Sequence, residues 1–256
     1  MSAVARAFVL PFTLETHSRC ADAVEDHEWG TLLLSPSLDA VWSVNGLVAH
    51  EPLPGLTLDD LDALFTERFP GGRFVSATFG DPDTGARLEA QARERGWKVE
   101  HEVLMVLTRE PDRVVDTSAV RAASREETLA LMARWIAEDF SEQGEEAMRQ
   151  IEALAEREWD ARDTRAFVAG DASATCKLWS DGTTAQVEDV YTAPDARGGG
   201  HARALVSHAA GVARAEDHGL VFIGADDDDT PKELYHRLGF DPIARLTRIV
   251  RETPRA

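Results

Sequence analysis

The 256-residue chain has only two cysteines, Cys20 and Cys176, far apart and in no Cys-x-x-Cys spacing. That excludes a disulfide framework and the common zinc or dithiol redox motifs, and leaves both as core or bystander thiols. No apolar run approaches the roughly 18 residues that span a bilayer. The N-terminal stretch MSAVARAFVLPFTLETHSRC has a short apolar patch and no small-residue cleavage signal behind it. The expectation is a folded cytoplasmic protein with no membrane partner. Positive charge is scarce as well: 27 Lys and Arg face 46 Asp and Glu, a net charge of −19. Nucleic acid is therefore disfavoured as a partner, because phosphate binding needs a basic surface that releases counterions. A cationic small molecule or a basic peptide would instead be drawn in.

What is present is enough apolar residue, 43%, to build the core of one large domain or two ordinary ones. In the C-terminal half, Leu129, Met132, Ala133 and Ile136 recur at helical spacing after a Ser-x-x-Glu cap at Ser124 and Glu127. A second helix follows in EEAMRQIEALAEREW. Three strands, TRAFVAG, SATCKLWS and TAQVEDVYT, are separated by turn signals at Gly170-Asp171 and Asp181-Gly182 and predict a meander. Beyond Gly198-Gly199-Gly200 come a helix ending near Gly219, the buried strand LVFIGA, a helix capped by Thr230 with Pro231 at its first position, and the strand ARLTRIVRE. This alternation implies an α/β fold with a mixed sheet.

The N-terminal half ends in the same way. A helix, Gly96-Trp97 and a strand parallel the later helix, Gly239-Phe240 and strand. Upstream, EWGTLLLS and AVWSVNGLVA are read as strands and TLDDLDALFTERF as a helix capped by Thr57. A weak internal repeat of about 110 to 130 residues follows, with REPDRVVDTSA as linker.

The triple glycine is the feature with chemical content. Glycines at a helix start let a phosphate approach exposed backbone N–H groups with no Cβ in the way, and Arg197 adds a positive charge beside them. No Gly-Lys-Ser/Thr follows for a P-loop, and a dinucleotide fingerprint from Gly198 would need a small residue where Arg203 stands. The plain alternatives are a flexible turn, or a phosphate- or nucleotide-binding enzyme of another fold.

Residues Val190 to Ala202 resemble the acetyl-CoA motif of the GNAT superfamily of N-acetyltransferases, Arg/Gln-x-x-Gly-x-Gly/Ala, with Arg197, Gly200 and Ala202 in the defining places and Pro194 in the family's proline position. LYHRLGF, Leu234 to Phe240, is similar to the family's Leu-Tyr-x-x-x-Gly-Phe helix end. The resemblance covers about Thr117 to Glu252. It implies two GNAT-like α/β domains with mixed, mostly antiparallel sheets flanked by helices: residues 117–256 catalytic, and 1–112 a degenerate copy without a cofactor motif. In that first copy HEPLPGL has one glycine and no arginine, its helix opens on acidic residues that repel phosphate, and Ala92 stands opposite Tyr235.

The resemblance further implies acetyl-CoA as co-substrate and no metal. The N–H groups of Gly198, Gly199, Gly200, His201 and Ala202, with Arg203 and Arg197, would take the pyrophosphate. Val190, Tyr191 and Thr192 would pair with the pantetheine arm, the Val190 N–H acting as a one-donor oxyanion site. Tyr235 is implied as the acid that protonates the leaving thiolate, and Glu188 as the base acting on the amine, with Asp189 or water as the alternative. Strand alternation places Glu188 on one face with Gln186 and Val190, and Asp189 on the other. His201 is either a further donor or solvent-facing. The acidic run ADDDDTPKE, where Asp228 replaces a family asparagine, is read as a solvated loop, since four adjacent aspartates cannot converge on one ion. The acceptor is expected to be a small-molecule or peptide amine, and the protein a monomer or homodimer. A non-catalytic acyl-CoA-binding regulatory or scaffold protein is the alternative.

Overall fold

A computed structural model of the chain describes residues 2–253. The contacts divide it into two compact units. One runs to Val103 and adds Asp226–Asp228 and the residues from Ile243 onward; the other comprises Leu104–Ala225 and Asp229–Pro242. Both are α/β, with mixed sheets flanked by helices. Among the described residues no helix is long and apolar enough to cross a membrane.

The first unit contains α1 (Leu10–Cys20), β1 (Ala23–His27), β2 (Gly30–Leu34), β3 (Gly46–Ala49), α2 (Leu58–Arg68), β4 (Phe74–Phe79), α3 (Pro82–Glu94) and most of β5 (Lys98–Leu107). β1, β2 and β3 pair antiparallel in order, and β3 runs parallel to β4. The core packs α2 and α3 on the sheet through Leu47, Leu61, Phe65, Phe79 and Leu88. Three of these elements, α1, β1 and β4, lie outside the sequence reading. The strand expected over AVWSVNGLVA is shorter than its pattern, because Trp42–Val44 is a helical turn. The buried Asn45 amide holds it, donating to the carbonyls of Leu38 at 2.8 Å and Val41 at 2.9 Å. At Gly46 a Cβ would lie 2.0 Å from the Ser76 carbonyl oxygen, so only glycine permits β3 to approach β4.

The second unit contains β6 (Arg121–Ala123), α4 (Arg125–Asp139), α5 (Glu145–Ala161), β7 (Asp163–Ala169), β8 (Ala174–Ser180), β9 (Thr184–Thr192), α6 (His201–Ala215), β10 (Leu220–Asp226), α7 (Pro231–Arg237) and the start of β11 (Phe240–Glu252). The expected meander is present: β6 to β9 pair antiparallel in order. β10 then runs parallel to β9, with register from Leu220↔Thr184 to Ile223↔Val187. The end of β11 pairs antiparallel with β4, Thr247↔Phe79 to Glu252↔Phe74, so the last strand enters the sheet of the first unit between β4 and β5.

The order strand, helix, parallel strand, helix, glycine, strand occurs in both units, with left-handed Gly96 and Gly239 at the same place, φ 73° and 99°. Two caps differ from their sequence reading. At α4 the Ser124 hydroxyl accepts from the Glu127 N–H as expected, while the Glu127 carboxylate pairs with Arg121 at 2.5 Å. Thr230 makes no side-chain cap, because its backbone is already helical and its N–H donates to Asp229.

Candidate active site

The loop between β9 and α6 is built by backbone conformations that side chains disfavour. Gly198 and Gly200 have φ of 83° and 82°. At Gly199 a Cβ would stand 2.8 Å from Nε2 of His201, so that ring would have to turn aside. Gly200 is the N-cap of α6 and offers no side chain to the helix end, whose first internal bond is Ala204 N–H to Gly200 oxygen at 3.1 Å. The N–H groups of His201, Ala202 and Arg203 therefore stand at the open, positive end of the helix.

This end opens into a cleft of about 890 Å³. Its walls include Val190, Tyr191, Thr192, Arg197, Gly198, Gly200, His201, Ala202 and Arg203, which is every position expected at the cofactor except Gly199. The charges are partly matched within the site. Arg203, with 12% of its side chain exposed, lies 2.6 Å from Asp112. Its hydrogen bond to Asp112 holds that carboxyl below the ordinary carboxylate range. The Arg197 Nε donates to the Thr192 carbonyl at 3.1 Å, beside the Tyr191 hydroxyl that donates to Glu138 at 2.7 Å. Burial first, and then the Glu138 carboxylate, pushes the Tyr191 phenol up to about 12. The His201 ring packs over the β7–β8 turn, where a Cβ on Gly170 would come within 2.7 Å of it.

A second cleft of about 200 Å³ gathers Glu188, Asp189, Val190, Tyr191 and Tyr235, with Met132 and Trp135 of α4 and Ile223 and Gly224 of β10 around them. It lies at Val187 and Ile223, where the parallel pairing of β9 and β10 ends. Glu188 accepts a hydrogen bond from the Gln186 side-chain amide. Tyr235 is 6% exposed, and burial, followed by the Glu188 charge, pushes its phenol above the ordinary value. The two expected proton-handling groups thus share one small space.

Strict alternation fails at Asp189. Its φ is 51°, and the β8–β9 register shifts opposite it, between Thr175 and Lys177. The bulge turns its carboxylate to Lys177, 2.5 Å away, although Lys177 is the cross-strand partner of Glu188. Both carboxylates line the cleft, but Asp189 is committed to the Lys177 ion pair, whereas Glu188 accepts from the neutral Gln186 amide. Neither Lys177 nor Asp112 was singled out in the sequence. The one available signal was a lysine in SATCKLWS, a strand whose every position from 174 to 180 is buried.

In the acidic run, Asp227 pairs with Arg245 at 2.6 Å and Asp228 lies 3.6 Å from His101, so the loop is anchored rather than simply solvated. Among the described residues no group of three or more His, Cys, Asp or Glu is placed to hold a metal ion.

Residues 129–240 match the acetyltransferase (GNAT) family. The match covers less than half of the chain, from within α4 through α7, and takes in the glycine loop, the small cleft and all of the large cleft's lining residues but Asp112 and Arg113. Among solved structures, the chain is similar to a functionally unknown conserved protein from Staphylococcus epidermidis ATCC 12228, with TM-score 0.69 and 16% identity over 90% of this chain and 93% of that one. It is also similar to a GCN5-related N-acetyltransferase from Kribbella flavida, with TM-score 0.63 and 22% identity over 99% and 97%. Both likenesses concern the fold along nearly the whole chain. No curated protein matches the chain.

Proposed function

We propose that the protein is an N-acetyltransferase that moves the acetyl group of acetyl-CoA directly onto a primary amine of a small molecule or peptide. The observation that carries this is the adjacency of a bare glycine-capped helix end and a small cleft holding Glu188 and Tyr235, with Val190 and Tyr191 lining both spaces. The Kribbella flavida likeness and the GNAT family match support the same reading.

The site fits the co-substrate. Gly198 and Gly200 leave open space where a Cβ would stand, and the N–H groups of His201 to Arg203 suit a pyrophosphate. Acetyl-CoA supplies an activated thioester carbonyl. The Val190 N–H donates to that carbonyl oxygen as charge builds on it, in a partly dry site where one fixed donor counts for more than in water. Glu188 receives a proton from the acceptor's ammonium, directly or through water, and the neutral amine then attacks the thioester carbonyl. As the C–S bond breaks, Tyr235, kept protonated by its surroundings, gives its proton to the departing thiolate, and the second proton lost by the acceptor nitrogen on forming the amide restores the Tyr235 phenol through water. The excess negative charge favours cationic acceptors.

Residues 1–112 are proposed to be a degenerate copy that binds no coenzyme A. Its α2 starts with a closed capping box, in which the Thr57 hydroxyl accepts from the Asp60 N–H and the Asp60 carboxylate accepts from the Thr57 N–H. Thr57 stands at the cap position where α6 presents Gly200, and Asp59 and Asp60 stand in the first turn where α6 has Ala202 and Arg203.

Thiol release from acetyl-CoA with a panel of primary amines tests the proposal. Turnover with at least one amine, abolished in Glu188→Gln, is expected. Coenzyme A binding without turnover on any amine would favour a scaffold.

A further inference from the structure

Lys177 lies in the middle of β8, a fully buried strand, and none of its side chain is exposed. A charge removed from water so completely persists only with partners. It has two: Asp189 at 2.5 Å, and Glu158 of α5 at 3.6 Å. Burial alone would favour the neutral amine, but Asp189, then Glu158, outweigh it and keep Lys177 charged. The proton-transfer roles assigned above do not use this lysine.

Its placement matters because of what it grips. Asp189 is the left-handed residue of the β9 bulge, with φ 51°, and sits between Glu188 and Val190. A side-chain-bearing residue is disfavoured there and persists only where its surroundings hold it. Without the bulge, β9 would return to strict alternation, and the orientations of both Glu188 and the Val190 N–H would change together. The Lys177 side chain is the one cation in contact with the bulge carboxylate among the described ion pairs.

We infer that Lys177 is a positioning residue, whose ion pair with Asp189 holds the β9 bulge in the form that aims the Glu188 carboxylate and the Val190 N–H into the small cleft. Its catalytic meaning rests on the proposed acetyl transfer. Its structural content does not.

The test compares Lys177→Met, Asp189→Ala, Asp189→Gly and the double variant Lys177→Met/Asp189→Gly. Glycine accepts a positive φ with no anchor, whereas alanine does not. Steady-state kinetics with acetyl-CoA and an accepted amine are paired with the backbone amide resonances of Val190 and Tyr191 in the free protein. Lys177→Met is expected to lower kcat at least tenfold, with a smaller change in KM for acetyl-CoA, and to shift both resonances. Adding Asp189→Gly should recover most of that loss and return the resonances toward their original positions. If Lys177→Met does not fold, Asp189→Ala should lose much more kcat than Asp189→Gly. Unchanged resonances and kcat in Lys177→Met, no recovery in the double variant, or equal losses for alanine and glycine would overturn the inference. If the unaltered protein turns over no amine, the acetyl-transfer reading fails, and the resonances alone still decide the role of Lys177.

Discussion

Arg203 Nη1 lies 2.6 Å from Asp112 Oδ1, so the arginine in the first turn of α6 is already paired inside the large cleft. A bound pyrophosphate would have to share that guanidinium with Asp112. Replacing Asp112 by Asn is therefore expected to tighten coenzyme A binding a few-fold at low salt, with the gain shrinking as salt rises. Arg203→Ala should weaken binding. Calorimetric titration of both variants checks the pair, and equal affinity in all three proteins would remove Arg203 from the site.

Tyr235 can lose its hydroxyl without losing its packing. Tyr235→Phe keeps the buried ring, and is expected to lower kcat about a hundredfold or more, in the range typical of a general acid, while coenzyme A affinity stays the same. Pre-steady-state and steady-state assays on the same preparation measure both. Unchanged turnover would show that water protonates the thiolate.

The charge cluster behind the bulge predicts a pH effect on stability. Burial first pushes the Glu158 carboxyl up, Lys177 opposes, Asp189 adds, and the outcome is about 7. The folded value exceeds the unfolded one, so this group's stabilising contribution is complete below the unfolded value and is lost as pH rises through about 7. Glu158→Gln imitates the protonated form. Its Tm should match that of the parent near about pH 4 and exceed it by a few degrees near about pH 8. A constant Tm difference across that range would contradict the assignment.

The α2 cap offers a control for the first unit. Thr57→Ala removes the hydroxyl that accepts from Asp60, and is expected to cost about 1 kcal/mol of stability with no change in coenzyme A affinity. Urea unfolding and titration measure the two separately. A loss of affinity would show that the first unit takes part in binding.

Much of the second unit was legible because its signals are local. Helical spacing in α4, turn glycines around β8, and the glycines before α6 each fix their own element. The first unit hid α1, β1 and β4, whose existence depends on partners distant in sequence: β4 is ordered by β3 on one side and by Thr247 to Glu252 on the other. Within the site, the glycine loop was readable from its own residues, whereas Glu188 and Tyr235 were singled out only by the family resemblance; the structure lines one small cleft with both. The bulge was not, since a left-handed Asp189 leaves no trace in an alternating pattern. Its cause, the buried Lys177, is a residue that strand periodicity treats as merely polar. The pairing of Arg203 with Asp112 spans 91 positions and carries no local signal.

The most direct test of acetyl-CoA binding at the glycine-capped start of α6 is calorimetric titration of the protein and of Gly200→Asp with acetyl-CoA. A Cβ at Gly200 meets nothing within 4 Å, although its φ of 82° disfavours a side chain, so the melting temperature of the variant is measured beside its binding; the new carboxylate would stand at the helix end where the pyrophosphate is proposed to lie. One site per chain, lost in Gly200→Asp, is the predicted result. No binding, or binding that survives the substitution, would contradict it.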